Sequence, residues 1–424
     1  MAKVEQRHWA SSLDRGGLSR RDRRAGSYQA YLPDPLVDRP LMLTGETAAD
    51  IAEAEAAITR LDTEAKALAE TEALSRLLLR AEAIASSRIE GLEVGARRLL
   101  RAEAAQALEG QSTDVTATEV LANIDAMALG VNSIRRGETI TVEVLLDVHR
   151  RLLTGTRLEQ HGGRFREQQN WIGGSSFNPC SAAYVPPPPE LVPGLMVDLL
   201  AFCNGDDLPA VAQAAIAHAQ FETIHPFVDG NGRTGRALIH LILRRRGLAQ
   251  HVVPPVSLIL ATWTQSYIDG LVSFRHIGSA TSPAAVDGVN IWVSRFAAAC
   301  TRAVADASAF EQKAADLEQV WRERLAPVRT GSATDLLLAK LVGAPILTVT
   351  TAATLIGRSY PAANTAIDRL VQADVLRQVT VGHRNRAFES PEAVAAFTAL
   401  ERQLASPAGD TRSSAPSRPA PRRR

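Results

Sequence analysis

A turn that can be neither helix nor strand stands in the middle of this chain. The stretch His225-Pro226-Phe227-Val228-Asp229-Gly230-Asn231-Gly232-Arg233-Thr234-Gly235-Arg236 puts two glycines and an asparagine beside one another, a run that favours positive φ and interrupts regular structure. Before it, Pro209 to Thr223 is alanine-rich and helical in pattern. After it, Arg233 to Arg246 carries Ala237, Leu238, Leu241 and Ile242 at helical spacing, with Gly247 where a C-terminal cap belongs. The free N–H groups of the turn and of the second helix then point at one spot, at the positive end of the helix dipole, and an anion is expected there. Arg233 and Arg236 are three residues apart and can clamp the same polyphosphate. Asp229 is placed to hold a divalent cation bridging phosphate oxygens. His225, whose imidazole titrates near neutral pH, is the candidate general base.

Gly230-x-Gly232-x-x-Gly235 also fits the dinucleotide-binding fingerprint, which requires a preceding strand and an acidic residue roughly 20 positions later. The preceding segment reads as helix, and no Asp or Glu occurs between Asn231 and Ile268, so that reading is rejected. A plain structural corner, with His225 and Asp229 as caps and the arginines solvated, accounts for any one of these residues but not for their convergence.

With every defined position present, His-Pro-Phe-x-Asp-Gly-Asn-Gly-Arg-x-x-Arg resembles the signature of the Fic/DOC family. The resemblance implies a mainly α fold, a Fic-type helical bundle with a small β-hairpin flap, and transfer of AMP from ATP to a hydroxyl side chain of a target protein. It assigns His225 as base and Asp229 as Mg²⁺ ligand. Gly230, Asn231 and Gly232 become the anion cradle, Gly235 falls within the same phosphate-binding group, and Arg233 and Arg236 become the phosphate clamps. Intact Gly232 favours ATP with its α-phosphate presented.

Ser86-Ser87-Arg88-Ile89-Glu90-Gly91 takes its meaning from this resemblance. Ser86 and Glu90 are four apart, on one helix face, and Gly91 lets the helix stop. Alone, Glu90 reads as a solvated helix residue. In a Fic-like chain Ser86, Glu90 and Gly91 match the family's inhibitory motif, in which the glutamate pairs with the second arginine, here Arg236, and takes the space of the γ-phosphate. Such a pair cannot coexist with Arg236 bonding to ATP.

Asn170 to Gly174 and Ala182 to Val185 read as two short extended segments about a turn. They resemble the family's flap, which gives Ile172, Gly173, Gly174 and Tyr184 as flap residues holding the target segment by strand addition. A helix is expected over Glu190 to Phe202, and another pattern over Ser257 to Arg275. By resemblance, nucleobase contacts are expected from around Tyr267 and from Asn290.

The 424 residues exceed one ordinary core. The expected organisation is a flexible basic arm over 1–26, a helical region carrying the inhibitory motif over 27–110, a catalytic core over 111–325, a winged helix domain over 333–400 and a disordered tail over 406–424. In the winged segment, helices are expected at Leu336 to Leu341, Thr348 to Ile356 and Pro361 to Gln372, followed by a hairpin with its turn at Gly382 to Arg386. A DNA reading puts Tyr360, Asn364 and Arg369 at the groove and Arg384 and Arg386 on the backbone, with Asp368, Asp374 and Glu389 interrupting that surface. Lys+Arg and Asp+Glu nearly cancel, 47 against 46, which excludes a globally basic nucleic-acid binder. Cys180, Cys203 and Cys300 form neither a disulfide framework nor a zinc pattern.

The N-terminus has no apolar signal core and the chain no long apolar run, so a cytoplasmic protein with no membrane contact is expected. The expected partners are a protein substrate along the flap, a second copy of the chain in a homodimer, and DNA at the winged helix. Two alternatives stand beside AMP transfer. One is a DNA-binding regulator with a nucleotide-sensing Fic-like domain; the other is an enzyme that removes AMP, with Glu90 orienting water.

Overall fold

The computed structural model describes the chain except residues 11–18, 20–21, 24, 68–70, 110–112, 326, 382–384 and 405–424. It is mainly α-helical. In chain order the elements are strands β1 (Lys3–Trp9) and β2 (Gly26–Leu32); helices α1 (Gly45–Ala67), α2 (Thr71–Ile89), α3 (Ala96–Glu109), α4 (Val115–Ser133), α5 (Val142–Leu153), α6 (Val192–Asn204), α7 (Ala210–Ile224), α8 (Asn231–Arg245), α9 (Val256–Thr262), α10 (Thr264–Phe274), α11 (Pro283–Arg324) and α12 (Ala333–Lys340); strand β3 (Ile346–Leu347); helices α13 (Val349–Ile356) and α14 (Tyr360–Gln372); strands β4 (Arg377–Val381) and β5 (Asn385–Glu389); and helix α15 (Pro391–Leu404). They fall into two compact units, the first of residues 1–55, 129–247 and 265–298, the second of 56–128, 248–264 and 299–424.

The first unit is built round α7. A helix that is apolar on all sides belongs in a core, and every residue of α7 except Glu222 is buried. Its small side chains allow α8 to approach closely: a Cβ at Gly235 would meet Glu222 Oε1 at 2.6 Å and Phe221 Cδ1 at 2.8 Å. The buried Trp292 indole closes the other side by donating to the Ala215 carbonyl at 2.7 Å.

In the same unit β1 pairs antiparallel with β2, Lys3 opposite Leu32 through Trp9 opposite Gly26. This corrects the expectation of a flexible arm for Lys3–Trp9. Arg7 is paired rather than merely solvated: it lies 2.8 Å from Glu5 and 2.8 Å from Glu190, while Trp9 packs edge-on against Trp171. Arg15, Arg20, Arg21 and Arg24 of the same expected arm lie outside the described residues.

In the second unit α2 is pinned along its length. The buried Glu82 carboxylate accepts from the Ser257 N–H and hydroxyl in the first turn of α9, where the helix dipole favours an anion. Asn123 of α4 donates to Ala83 O at 2.8 Å and Ser87 Oγ at 3.0 Å. Strands β3, β5 and β4 form an antiparallel sheet in that order. Leu100 and Ala104 of α3 share a core with Ile346, Ala387 and Val394.

That core redraws the expected boundaries. Residues 333–400 do not stand apart but pack against α3 of the expected 27–110 region, since a segment this short buries little surface by itself. The order α12, α13, α14, then the hairpin β4–β5, is nonetheless as expected. Thr348 caps α13 in a reciprocal capping box, and Pro361 sits in the first turn of α14. The pattern over Ser257 to Arg275 is two helices, α9 and α10, broken at Trp263. The expected tail over 406–424 lies outside the described residues. No described helix is long and apolar enough to cross a membrane.

Candidate active site

Helix α7 ends at Ile224 because Pro226 disfavours helical backbone at the residue before it. His225 responds with a left-handed conformation, φ 50° and ψ 61°, which a non-glycine residue adopts only when its surroundings impose it. Its N–H still bonds to Phe221 O at 2.9 Å. The turn beyond is stapled from within: the Asn231 side chain accepts from Phe227 N–H at 2.8 Å and donates to Phe227 O at 2.9 Å. It is stapled from outside by His149 of α5, which stacks on Phe227 with centroids 3.7 Å apart. His149 Nδ1 accepts from Gly163 N–H, so Nε2 carries the proton and donates to Asp229 O at 3.0 Å. Burial holds this ring neutral, with its pKa lowered to about 4.

Gly230, with φ 74°, caps α8, and only glycine fits: a Cβ would stand 2.8 Å from Leu152 Cδ2. The first intrahelical bond of α8 runs from Thr234 N to Gly230 O, so the amides of Asn231, Gly232 and Arg233 have no carbonyl four residues back. These are the cradle donors read from the sequence. The Asn231 side chain, in contrast, belongs to the turn.

Arg233 is 4% exposed and its guanidinium lies 3.2 Å from the Asp229 carboxylate, which is half-exposed. Arg236, on the next turn of α8, is 1% exposed. The structure therefore gathers Asp229, Arg233 and the α8 amides at one end of one helix. The His225 ring is mostly buried, with Nδ1 3.9 Å from Glu222 Oε2.

Among the described residues no three His, Cys, Asp or Glu side chains gather to hold a metal. Asp229 alone nevertheless suits Mg²⁺ beside a polyphosphate, because that ion takes one or two carboxylates and fills its other positions with phosphate oxygens and water. The half-exposed carboxylate next to the cradle meets that requirement.

The flap is shorter than the expected pair of extended segments. It is one antiparallel bridge, Ile172 opposite Tyr184, with Gly173 and Gly174 both at positive φ. At Gly174 a Cβ would stand 2.3 Å from Ser181 O, so no other residue fits. Tyr184 fastens the flap to α7, its hydroxyl donating to Thr223 O at 2.7 Å beneath the Arg275 guanidinium. Ile172 is 43% exposed.

The residues expected at the nucleobase are engaged within the fold. Asn290 is buried and its amide is spent on structure: it accepts from Thr44 N–H at the start of α1 and donates to Met42 O and Val286 O. Tyr267 is buried with its hydroxyl 2.9 Å from His218 Nε2. His218 is neutral, its pKa driven to about 3 by burial and by the Arg236 charge.

In the second unit, α2 ends as its sequence predicts. Gly91, at φ 83°, follows the helix; Leu92 N bonds to Ser87 O at 3.0 Å and Gly91 N to Arg88 O at 2.9 Å, a paired C-terminal motif. Ser86 is buried and Glu90 exposed. The expected DNA surface changes in one respect. Glu389 is not on it, being 1% exposed and paired with Arg377 at 2.7 Å and Arg97 at 3.1 Å. Tyr360 is 57% exposed, Asn364 donates to Asp368, and Arg384 lies outside the described residues.

Sequence reasoning missed Arg166, Asn170, His149 and Glu222. Only Asn170 fell within a stretch the sequence singled out, as the start of an extended flap segment.

Known proteins share this chain's central region. Residues 139–243 match the profile of the Fic/DOC family and residues 48–132 that of the Fic/DOC family N-terminal region. The protein adenylyltransferase Fic of Culex quinquefasciatus is 34% identical over 210 residues, covering 46% of this chain and 39% of that protein. The protein adenylyltransferase fic-1 of Caenorhabditis elegans is 35% identical over 133 residues, covering 31% of this chain and 23% of that protein. The chain thus spans well under half the length of these curated relatives. A solved Fic family protein from Desulfovibrio desulfuricans G20 shares the fold, with a TM-score of 0.51 at 22% identity over 83% of this chain and 98% of that one. The chain is thus similar to the Fic/DOC family over residues 48–132 and 139–243.

Proposed function

We propose that this protein is an adenylyltransferase that moves AMP from ATP to a hydroxyl side chain of a target protein. The observation that carries the reading is His225, held left-handed immediately before a helix N-terminus whose open amides, with Arg233 and Asp229, form a polyphosphate site. Relatives named protein adenylyltransferase support it. His225 takes the proton of the target hydroxyl as that oxygen bonds to the α-phosphorus; the bond from that phosphorus to the bridging oxygen breaks and pyrophosphate leaves. The α8 amides and the two arginines stabilise the growing charge on the phosphate oxygens. Asp229 would hold Mg²⁺, which when bound neutralises phosphate charge and polarises the phosphoryl oxygens. The flap's exposed Ile172 edge is the proposed seat of the target segment. The dependence on ATP favours the cytoplasm, and association as a homodimer belongs to the same reading.

The reading includes autoinhibition by Glu90. A carboxylate at the negative end of α2 is electrostatically strained and gains from a guanidinium, and a carboxylate bonded to Arg236 would exclude the γ-phosphate. The test compares wild type, Glu90→Gly and Glu90→Gly/His225→Ala, given Mg²⁺ and ATP labelled on the α-phosphate, with and without cell lysate. Label on protein only in the Glu90→Gly sample, at least about tenfold above wild type, is the expected result. Absence of label in all three, with ATP bound, would overturn transfer.

One observation favours a further role. The order helix, short strand, two helices and hairpin, with the sheet order β3-β5-β4, supports a winged helix reading of 333–400, with Tyr360 exposed on α14. A salt-dependent mobility shift of duplex DNA by the full chain tests it, and no shift at low salt removes it.

A further inference from the structure

We infer that Arg166 and Asn170 are positioning residues that hold His225 in its working conformation. Where α7 stops, the carbonyl of Ile224 and those of the turn residues His225, Pro226 and Phe227 have no partner further along a helix, and such groups ordinarily turn to water. Here one loop takes them all, through two side chains and one backbone N–H. Arg166 Nε donates to His225 O at 2.9 Å, Nη2 to Ile224 O at 3.3 Å, and the Arg166 backbone N–H to Pro226 O at 2.9 Å. The same guanidinium is fixed at its far side by Gln168 O and Pro187 O. Asn170 Nδ2 bridges His225 O at 3.3 Å and Phe227 O at 3.0 Å.

Arg166 is 3% exposed, and among the described residues its partners are carbonyl oxygens rather than a carboxylate. Burial lowers its pKa to about 10, so the charge is kept. A planar fork with several donors in fixed directions suits carbonyls that face it from different chain segments, and a lysine cannot reproduce it. Without these bonds the backbone of His225 is free to leave the left-handed region for the extended one that a following proline favours, and the imidazole moves with it. The α8 amides are set separately, by Gly230, Asn231 and His149. Loss of Arg166 should therefore damage proton transfer and spare nucleotide binding.

This inference rests on His225 acting as base, and its test separates the two ideas. In the Glu90→Gly background, Arg166→Met is expected to lower the saturating rate of transfer from α-labelled ATP about 100-fold, with the Kd for ATP within about twofold. Arg166→Lys should recover part of the rate, and Asn170→Ala should lose about tenfold. Amide hydrogen exchange at His225 and Phe227 should quicken at least about tenfold in Arg166→Met while the middle of α7 stays protected. Unchanged exchange at these amides overturns the inference, as does a parent-level rate. If Glu90→Gly itself transfers no label, adenylylation fails as a function and exchange alone decides the positioning role. Should Arg166→Met not fold, Asn170→Ala carries both measurements.

Discussion

Two helices of this protein end in the same backbone conformation by opposite means. α2 stops at Ile89, with Gly91 at φ 83° just beyond it, and its last carbonyls are satisfied by its own next residues. α7 stops with His225 at φ 50°, and the carbonyls of Ile224 and His225 are satisfied by Arg166 and Asn170, more than fifty residues away in sequence. Glycine makes the first stop without strain. The second keeps a side chain where glycine would be easier, which is worth its cost only if that side chain has work to do at that spot. A chemical residue thus needs a tertiary scaffold, whereas a helix stop needs only its own sequence.

The largest effect that tests this contrast is on activity. His225→Ala in the Glu90→Gly background should lower label transfer by about 10²–10⁴-fold while ATP still binds in calorimetry. Retained transfer would make the left-handed histidine a structural accident.

Acid comes next and should act on one helix end only. His149 and His218 are neutral in the fold, with pKa values lowered to about 4 and about 3 by burial, whereas an unfolded histidine titrates near 6.5. The unfolded chain then binds more protons, so this stability is complete above about pH 6.5 and declines as pH falls toward the folded values, by about 1.4 kcal/mol per pH unit for each ring. Protonation also sets His149 Nδ1–H against Gly163 N–H, where it now accepts. Protection relative to the intrinsic exchange rate should therefore fall at pH 5 at Phe227 and Asp229 and stay unchanged for Leu92 at the end of α2. His149→Asn should flatten the pH dependence of the urea midpoint.

The smaller effects exchange the two solutions. Gly91→Ala places a Cβ at a left-handed φ and should lower unfolding free energy by about 1–2 kcal/mol. His225→Gly relieves a comparable strain while adding chain entropy of about 0.5–1 kcal/mol, so its stability should stay within about 1 kcal/mol of wild type although activity is lost. Equal losses of stability at both positions would remove the distinction between them.

The parts legible in the sequence share one property: the physics is local. The breaker between α7 and α8, the stop at Gly91, the capping of α13 and the first-turn proline of α14 each depend on a few neighbouring residues. Where distant residues decide, reading fails or misleads. Charges in Lys3–Trp9 look like a solvated arm until Glu190 and the partner strand β2 are beside them. Asn290 looks available for a base until Thr44 and Met42 occupy its amide. Glu389 looks like a surface acid until Arg97 and Arg377 enclose it.

The sequence by itself determined the chemistry on offer: a histidine before a proline, one carboxylate, glycines where side chains cannot fit and two arginines on one helix. These follow from bond rotation and steric exclusion within one turn. Only the tertiary structure decided how that chemistry is held. The carbonyls exposed by ending α7 must find donors, and which donors reach them depends on how the loop of Arg166 and Asn170 and the helix of His149 close back over the turn.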